Sequence, residues 1–443
     1  MAEVGLGIRA SAKYYFQRDV ETLPREKLAA LQLERVRATV ENAYEHVPLH
    51  RARLDAAGVS PRDIASLADV EQLPFTLKSD LRDHYPFGLF ARRRDTLARL
   101  HASSGTTGKP TVVGYTDADI DCWADLMARS MACAGARPGD LVHNAYGYGL
   151  FTGGLGAHYG AERLRATVVP MSGGSTERQI ALIRDFRARV LCATPSYALA
   201  IAELAEQQGH PLADSTLEVG LFGAEPWSDA MRREIESRLG LKAIDIYGLS
   251  EIMGPGVACE CELQSGLHGW EDHFLFEVID PETGRAVPEG QAGELVITTL
   301  TKEALPMLRY RTRDITRVTT APCGCGRTHL RILRITGRND DMLIIRGVNV
   351  YPSQVEAVLI GLADIAPHYQ LVVDRRGSLD HLTVEAEALP GVDPAAYEVA
   401  ARRAAHHIKS LIGITADVTV KKPGEIPRSQ GKAVRVRDLR PKH

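Results

Sequence analysis

The chain is 443 residues long and 44% hydrophobic, ample for a large core and longer than one core usually serves, so two unequal domains are expected. Its 53 basic and 56 acidic side chains nearly cancel, which excludes the strong basic field that a nucleic-acid binder uses to neutralise phosphates. No apolar run of signal-peptide length opens the chain and no window reaches the roughly 20 apolar residues of a membrane span, so a cytoplasmic protein with no membrane partner is expected.

In chain order, residues 23–56 carry apolar side chains at three- and four-residue spacings, the pattern of amphipathic helix. From about 100 to 300, short β-rich runs (LVHNAY, ATVVPM, VLCATP, VGLFGA, AIDIYG) alternate with helical stretches such as STERQIALIRDFRA and SDAMRREIESRLG. That alternation predicts βαβ units, hence parallel sheets covered by helices. HFLFEVID, GELVITTL and ITRVTT follow without long helices between them and predict an antiparallel subdomain closing the large domain near residue 335. Beyond TGRNDD come MLIIRGVNV, a helix from Pro352 to Leu362, QLVVDR, LTVEAEAL, a helix from Pro394 to Leu411, and ADVTVKK, a small α+β unit. The fold class is therefore α/β, with a large domain over 1–338 and a small C-terminal domain over 339–443.

Residues 103–110, SSGTTGKP, offer hydroxyls, backbone N–H groups and one Lys to anionic oxygens, which suits a polyphosphate. Pro110 follows the Lys, so this is not the Walker pattern, and a plain hairpin turn is the blander alternative. Together with YGLSE at 247–251, YRTRD at 310–314, TGRNDDMLIIRGVNVYPSQVE at 336–356 and PRSQGKAVRVRD at 427–438, this loop resembles the ordered motifs of the adenylate-forming superfamily of acyl-CoA ligases, luciferases and adenylation domains. The wording AYGYGLFTGGLGAHYGAERL, LFGAEPWSDAMR, GWEDHF and LTKEALPMLRYRTRD is similar to its phenylacetate-CoA ligase branch.

The resemblance implies that Ser103, Ser104, Gly105, Thr106, Thr107, Gly108 and Lys109 hold the β- and γ-phosphates of ATP. It also implies that Gly223, Ala224, Glu225 and Pro226 line the adenine, with Tyr247 stacking on it and Gly248 letting the backbone approach. Glu251 would coordinate Mg2+, for which a carboxylate is the right hard-oxygen ligand. Asp314 would accept hydrogen bonds from both ribose hydroxyls, the plainer alternative being a surface pair with Arg311 or Arg313. Arg338 fits a phosphate or ribose contact, Asp340 corresponds to the hinge of a mobile small domain, and Lys432 would serve adenylation by bridging acid and α-phosphate. Asn349 stands where some superfamily members place a phosphate-reaching Arg, so no phosphate contact is assigned there.

Cys261 and His268, six residues intervening, with Cys323 and Cys325 offer the donor set of a closed tetrahedral zinc site, and Cys259 competes with Cys261 for the role. Tyr146, Tyr148, Phe151, Gly153, Gly154 and Gly173 suit an apolar slot for a flat ring, with Trp227 and His158 as secondary candidates. The expected reaction is ATP-dependent conversion of an aryl acid to its adenylate and then to its CoA thioester. Phenylacetate, benzoate and anthranilate types stay open as the acid, and a carrier-protein thiol stays open as the acceptor. A nucleotide-sensing regulator is disfavoured because Glu251, Asp314 and Lys432 are all present. The resemblance also implies a homodimer.

Overall fold

The computed structural model describes residues 13–103, 110–335, 337–338, 343–345, 348–376, 379–428 and 434–440. The predicted opening helix resolves into two, Arg25–His46 and Pro48–Ala57. They part at Val47 because a residue before proline is pushed out of the helical region, while proline itself suits a first helical position. Leu28 is fully buried, and Val36, Val40, Ala43 and Leu54 pack with Leu300 and Leu308 of the large domain.

A nine-stranded sheet forms the centre. Five strands, in the spatial order Thr167–Val169, Leu141–Asn144, Val190–Ala193, Val219–Gly223 and Lys242–Leu249, run parallel. Helices such as Thr152–Arg163, Thr176–Asp185, Pro195–Gln207 and Asp229–Leu239 connect them. The other four strands, Gly254–Glu260, Leu267–Gly269, Arg331–Ile332 and Val318–Thr319, are antiparallel, so the sheet is mixed rather than wholly parallel. The turn between Leu249 and Gly254 is too short for a crossover, and the chain can only double back.

An antiparallel sheet of Phe274–Ile279, Gly293–Thr299, Tyr310–Thr316 and Gly337–Arg338 packs beside it, as expected from HFLFEVID and GELVITTL. ITRVTT divides: its first part ends the strand Tyr310–Thr316, whereas Val318–Thr319 crosses to the edge of the central sheet. The C-terminal region has a core of its own, built from Leu343, Ile345, Val355, Leu359, Leu371, Val384, Ala404 and Ile408. Its sheet runs Asp417–Lys421, Leu379–Ala388, Ile365–Arg376, Val436–Asp438 in spatial order, covered by the helices Pro352–Ile360 and Tyr397–Ile412. The latter is preceded by a 3-10 turn, Pro394–Ala396, capped by Asp393 accepting from the Ala395 N–H.

Candidate active site

The strands Arg99–Ser103 and Thr111–Tyr115 pair antiparallel, with Ser103 opposite Thr111. These strands flank the hydroxyl- and glycine-rich run on either side in the chain. Ser104, Gly105, Thr106, Thr107, Gly108 and Lys109 lie outside the described residues, as do Asp340 and Lys432 and the side chains of Ser103 and Arg338. The hairpin is tied to the predicted aryl slot: Ala102 N–H donates to Leu150 O at 3.0 Å, and His101 Nδ1 stands 3.1 Å from the same oxygen.

Next to the hairpin, at the carboxyl ends of parallel strands where open α/β sheets bind ligands, lie Gly223–Pro226 and Tyr247. Ala224 sits at φ +72°, a left-handed backbone that costs an L-residue about 1–2 kcal/mol and turns the chain sharply after the strand. The turn brings the Glu225 carboxylate to the start of helix Pro195–Gln207, where it accepts from Ser196 N–H at 2.7 Å and from the Ser196 hydroxyl. Tyr247 donates its hydroxyl to Asp314 Oδ2 at 2.6 Å, joining the central sheet to the antiparallel one across 67 residues of sequence. Asp314 is buried at 4% exposure and is paired in register with Arg338. Arg311 and Arg313 instead face Glu294, at 2.5 and 3.8 Å, which sets aside the surface-pair alternative for Asp314.

A Cβ at Gly248 would stand 1.9 Å from Gly254 O, and one at Gly223 would stand 2.2 Å from Ile246 O. Both glycines are close-approach positions. Gly248→Ala is expected to push the strands apart, cost about 1–3 kcal/mol of stability and raise the KM for ATP. Thermal unfolding and ATP titration check this, and an unchanged melting temperature with unchanged KM would overturn it.

Glu251, in the turn after Tyr247, is 3% exposed, and its carboxylate stands 3.2 Å from Lys78 Nζ. Lys302 is 2% exposed and lies over the Tyr115 ring, 4.5 Å from its centre, with no hydrogen-bond partner for Nζ among the described residues. Burial pushes its ammonium down to about 8 against the pull of Asp119 and Glu251. Neither lysine was found from sequence: LTKEALP was read only as family wording, and nothing in the spacing of Lys78 points at Glu251, 173 residues away.

In the predicted slot, Asn144 Nδ2 donates to the Tyr148 hydroxyl and to Gly154 O, both at 2.8 Å, and Tyr148 Oη lies 3.2 Å from His158 Nδ1. Phe151 covers Gly153 so closely that a Cβ there would meet the ring at 2.4 Å, and Gly154 backs onto Gly147 O. Thr152 Oγ1 lies 3.1 Å from Ser250 Oγ, linking the slot to the turn that carries Glu251. Tyr146 is packed in the main core with its hydroxyl donated to Leu221 O, Trp227 is buried in a neighbouring core, and Gly173 is half-buried. Tyr146 and Trp227 are thus more deeply buried than Tyr148, while Gly173 follows Ser172, whose Oγ accepts from Tyr148 N–H at 3.3 Å.

The AMP-binding enzyme family model matches residues 11–301 and the AMP-binding enzyme C-terminal domain model matches residues 347–440. The phenylacetate-coenzyme A ligase of Thermus thermophilus is 55% identical over 442 residues, 96% of this chain and 99% of that protein. The chain belongs to the phenylacetate-coenzyme A ligase family. Among solved structures, 2-hydroxyisobutyryl-CoA ligase in its postadenylation state with 2-HIB-AMP superposes with a TM-score of 0.91 at 32% identity, covering 97% of this chain and 93% of that one. The same ligase with 2-HIB-AMP and CoA in its thioesterification state reaches only 0.73, at 33% identity and equal coverage. The chain thus superposes better on that ligase in its postadenylation state than in its thioesterification state.

Away from the nucleotide site, the metal-binding atoms of Cys261, His268, Cys323 and Cys325 all lie within 4.8 Å of one another. Cys261 Sγ is 3.8 Å from Cys323 Sγ, and Cys325 Sγ is 3.3 Å from His268 Nε2. Bonds of roughly 2.3 Å in a tetrahedron place ligand atoms about 3.7 Å apart, so the group fits zinc in spacing and in donor type. Of the two cysteines left open by sequence, Cys261 lies within this group, whereas Cys259 is buried in the core with its thiol on Ser130 O at 3.4 Å. Tyr15 donates its hydroxyl to Cys325 O at 2.7 Å, so the N-terminal segment is fastened to the same loop.

Proposed function

We propose that the chain activates phenylacetate or a close aryl analogue with ATP and passes the acyl group to coenzyme A. The acid carboxylate attacks the α-phosphorus and pyrophosphate leaves; the CoA thiolate then attacks the adenylate carbonyl and AMP leaves. The observation that carries this reading is that Gly223 pairs beside Tyr247 on adjacent parallel strands, Tyr247 donates to buried Asp314, and buried Glu251 follows in the next turn. Tyr247 and the 223–226 turn would hold the adenine, Asp314 and Arg338 the ribose side, and residues 103–109 the phosphates. Glu251, which faces Lys78 here, would hold Mg2+, which would supply charge neutralisation at the phosphates. The ring would lie along Tyr148, Phe151, Gly153 and Gly154, with Tyr146 and Gly173 behind them.

CoA rather than a carrier-protein thiol is favoured by the near full-length relatives, which are named as CoA ligases. A domain boundary at 338/339 is supported by the pairing of Gly337–Arg338 with the antiparallel sheet and by the C-terminal core that includes Leu343. Structural zinc at Cys261, His268, Cys323 and Cys325 is supported by their spacing. A homodimer and a cytoplasmic location rest on the family resemblance, and no described helix is long and apolar enough to cross a membrane.

The test is pyrophosphate release across a panel of aryl acids, with and without CoA. CoA-dependent turnover on phenylacetate is expected. A preference for a benzoate-type acid would move the substrate, and no release with any acid would end the ligase reading.

A further inference from the structure

Two arginines flank the segment that carries Lys432: Arg428 lies four residues before it and Arg435 three after. Both reach across to one helix of the large domain, Pro195–Gln207. Arg428 donates to Glu203 Oε1 and Oε2 at 3.0 and 3.1 Å, and His368 Nε2 stands 3.1 Å from the same carboxylate. Burial would push Glu203 up, but hydrogen bonds from His368 and Arg428 outweigh it and hold the carboxyl at about 2. Arg435 donates to Ser196 Oγ at 3.3 Å, in the first turn of the same helix, and lies over the Tyr369 ring, 4.5 Å from its centre. Ser196 is the residue that holds Glu225, so this anchor leads straight to the adenine-side turn.

Each arginine also keeps a partner inside the small domain. Arg428 donates to both oxygens of fully buried Glu387 at 2.8 Å, and Arg435 faces Glu356 at 3.7 Å. Among the described residues, the large domain contributes Glu203, Ser196 and the Ser228 N–H, which donates to Glu356 at 3.1 Å, as polar partners, while Ile360 of the small domain packs against a large-domain core. Clefts of about 300 and 430 Å³ open on the two sides of Glu203, so its charge can be solvated when the domains part. Separation would therefore strand no buried charge. That is the property a contact needs if it must form and break in every turnover.

We propose that Arg428 and Arg435 are positioning residues for adenylation: on either side of Lys432 they anchor the small domain to helix Pro195–Gln207 for the first step and release it for the second. The proposal rests on the ligase reading and on Lys432 serving the first step. Glu203 is the residue to change, because removing Arg428 would also leave Glu387 buried and unpaired.

Glu203→Gln is expected to slow pyrophosphate release from acid and ATP about tenfold, in kcat rather than in the KM for ATP. Acyl transfer from preformed aryl-adenylate to CoA should stay at the wild-type rate, with an unchanged melting temperature, and Glu203→Asp should recover part of the loss. A merely structural role would lower both half-reactions and the melting temperature together, and that result overturns the proposal. Wild-type rates in both half-reactions also overturn it while leaving the ligase reading intact. A wild-type protein that releases no pyrophosphate from any aryl acid removes the reading beneath it as well.

Discussion

Lys432→Ala is expected to abolish pyrophosphate release from free acid while leaving acyl transfer from preformed aryl-adenylate to CoA intact. In the first step an anionic carboxylate meets an anionic α-phosphate, and negative charge grows between them in the transition state. A preorganised cation there acts as an oxyanion-hole donor does, and removing it should cost about 3–4 kcal/mol, or 10²–10³ in rate. The second step brings no carboxylate against the α-phosphate: the thiolate forms a C–S bond at the adenylate carbonyl, and the bond from that carbon to the phosphate oxygen breaks to release AMP. The anchors on either side of the lysine's segment, Arg428 on Glu203 and Arg435 on Ser196, give the small domain a defined seat for the first step. Rapid-quench measurement of the two half-reactions separates them. Equal loss in both would sink the two-conformation account.

The purified protein is expected to hold about one zinc per chain, and Cys325→Ser or a strong chelator should lower the melting temperature by on the order of 5–10 °C. The donors come from three places: Cys261 just beyond the strand Gly254–Glu260, His268 within Leu267–Gly269, and Cys323 with Cys325 in the turn before Arg331–Ile332. Cys261 and Cys323 are 62 residues apart, so a metal between them closes a long loop and removes much freedom from the unfolded chain. The same turn secures the N-terminal segment through Tyr15, and beside it Arg327 donates to buried Glu21 at 2.7 Å, so loosening should spread to residues near 15–21. Four protein ligands leave no open position for substrate, and the KM for ATP should move little in protein that stays folded. Elemental analysis finding no zinc in protein purified without chelator would remove the site.

Much of the architecture is legible locally. A two-residue period marks strands and a period near 3.6 marks helices, so the βαβ series and the helices near 352 and 397 can be placed from short windows of sequence. The change of sense within the central sheet escaped, since it depends on the brevity of the turn from Leu249 to Gly254 and not on the character of either strand. At the site, motif residues announce themselves by type and order, as Gly223, Tyr247, Glu251 and Asp314 do. Lys78 and Lys302 do not, because an isolated lysine reads as surface until the fold buries it beside a carboxylate or an aromatic ring.

The sequence by itself determined the superfamily motifs and their order and the α/β class with its antiparallel part, and it offered the side chains proposed for phosphate, magnesium and zinc. Each of these is a property of short stretches of chain. Only the tertiary structure decided that Cys261 and not Cys259 joins the metal cluster, that Asp314 takes Tyr247 and not Arg311 as its partner, and that Glu203 receives Arg428. Those pairings span from about 60 to over 200 residues. Which of several chemically equivalent groups meet at such range is set by where packed elements return in space, and no local periodicity records that.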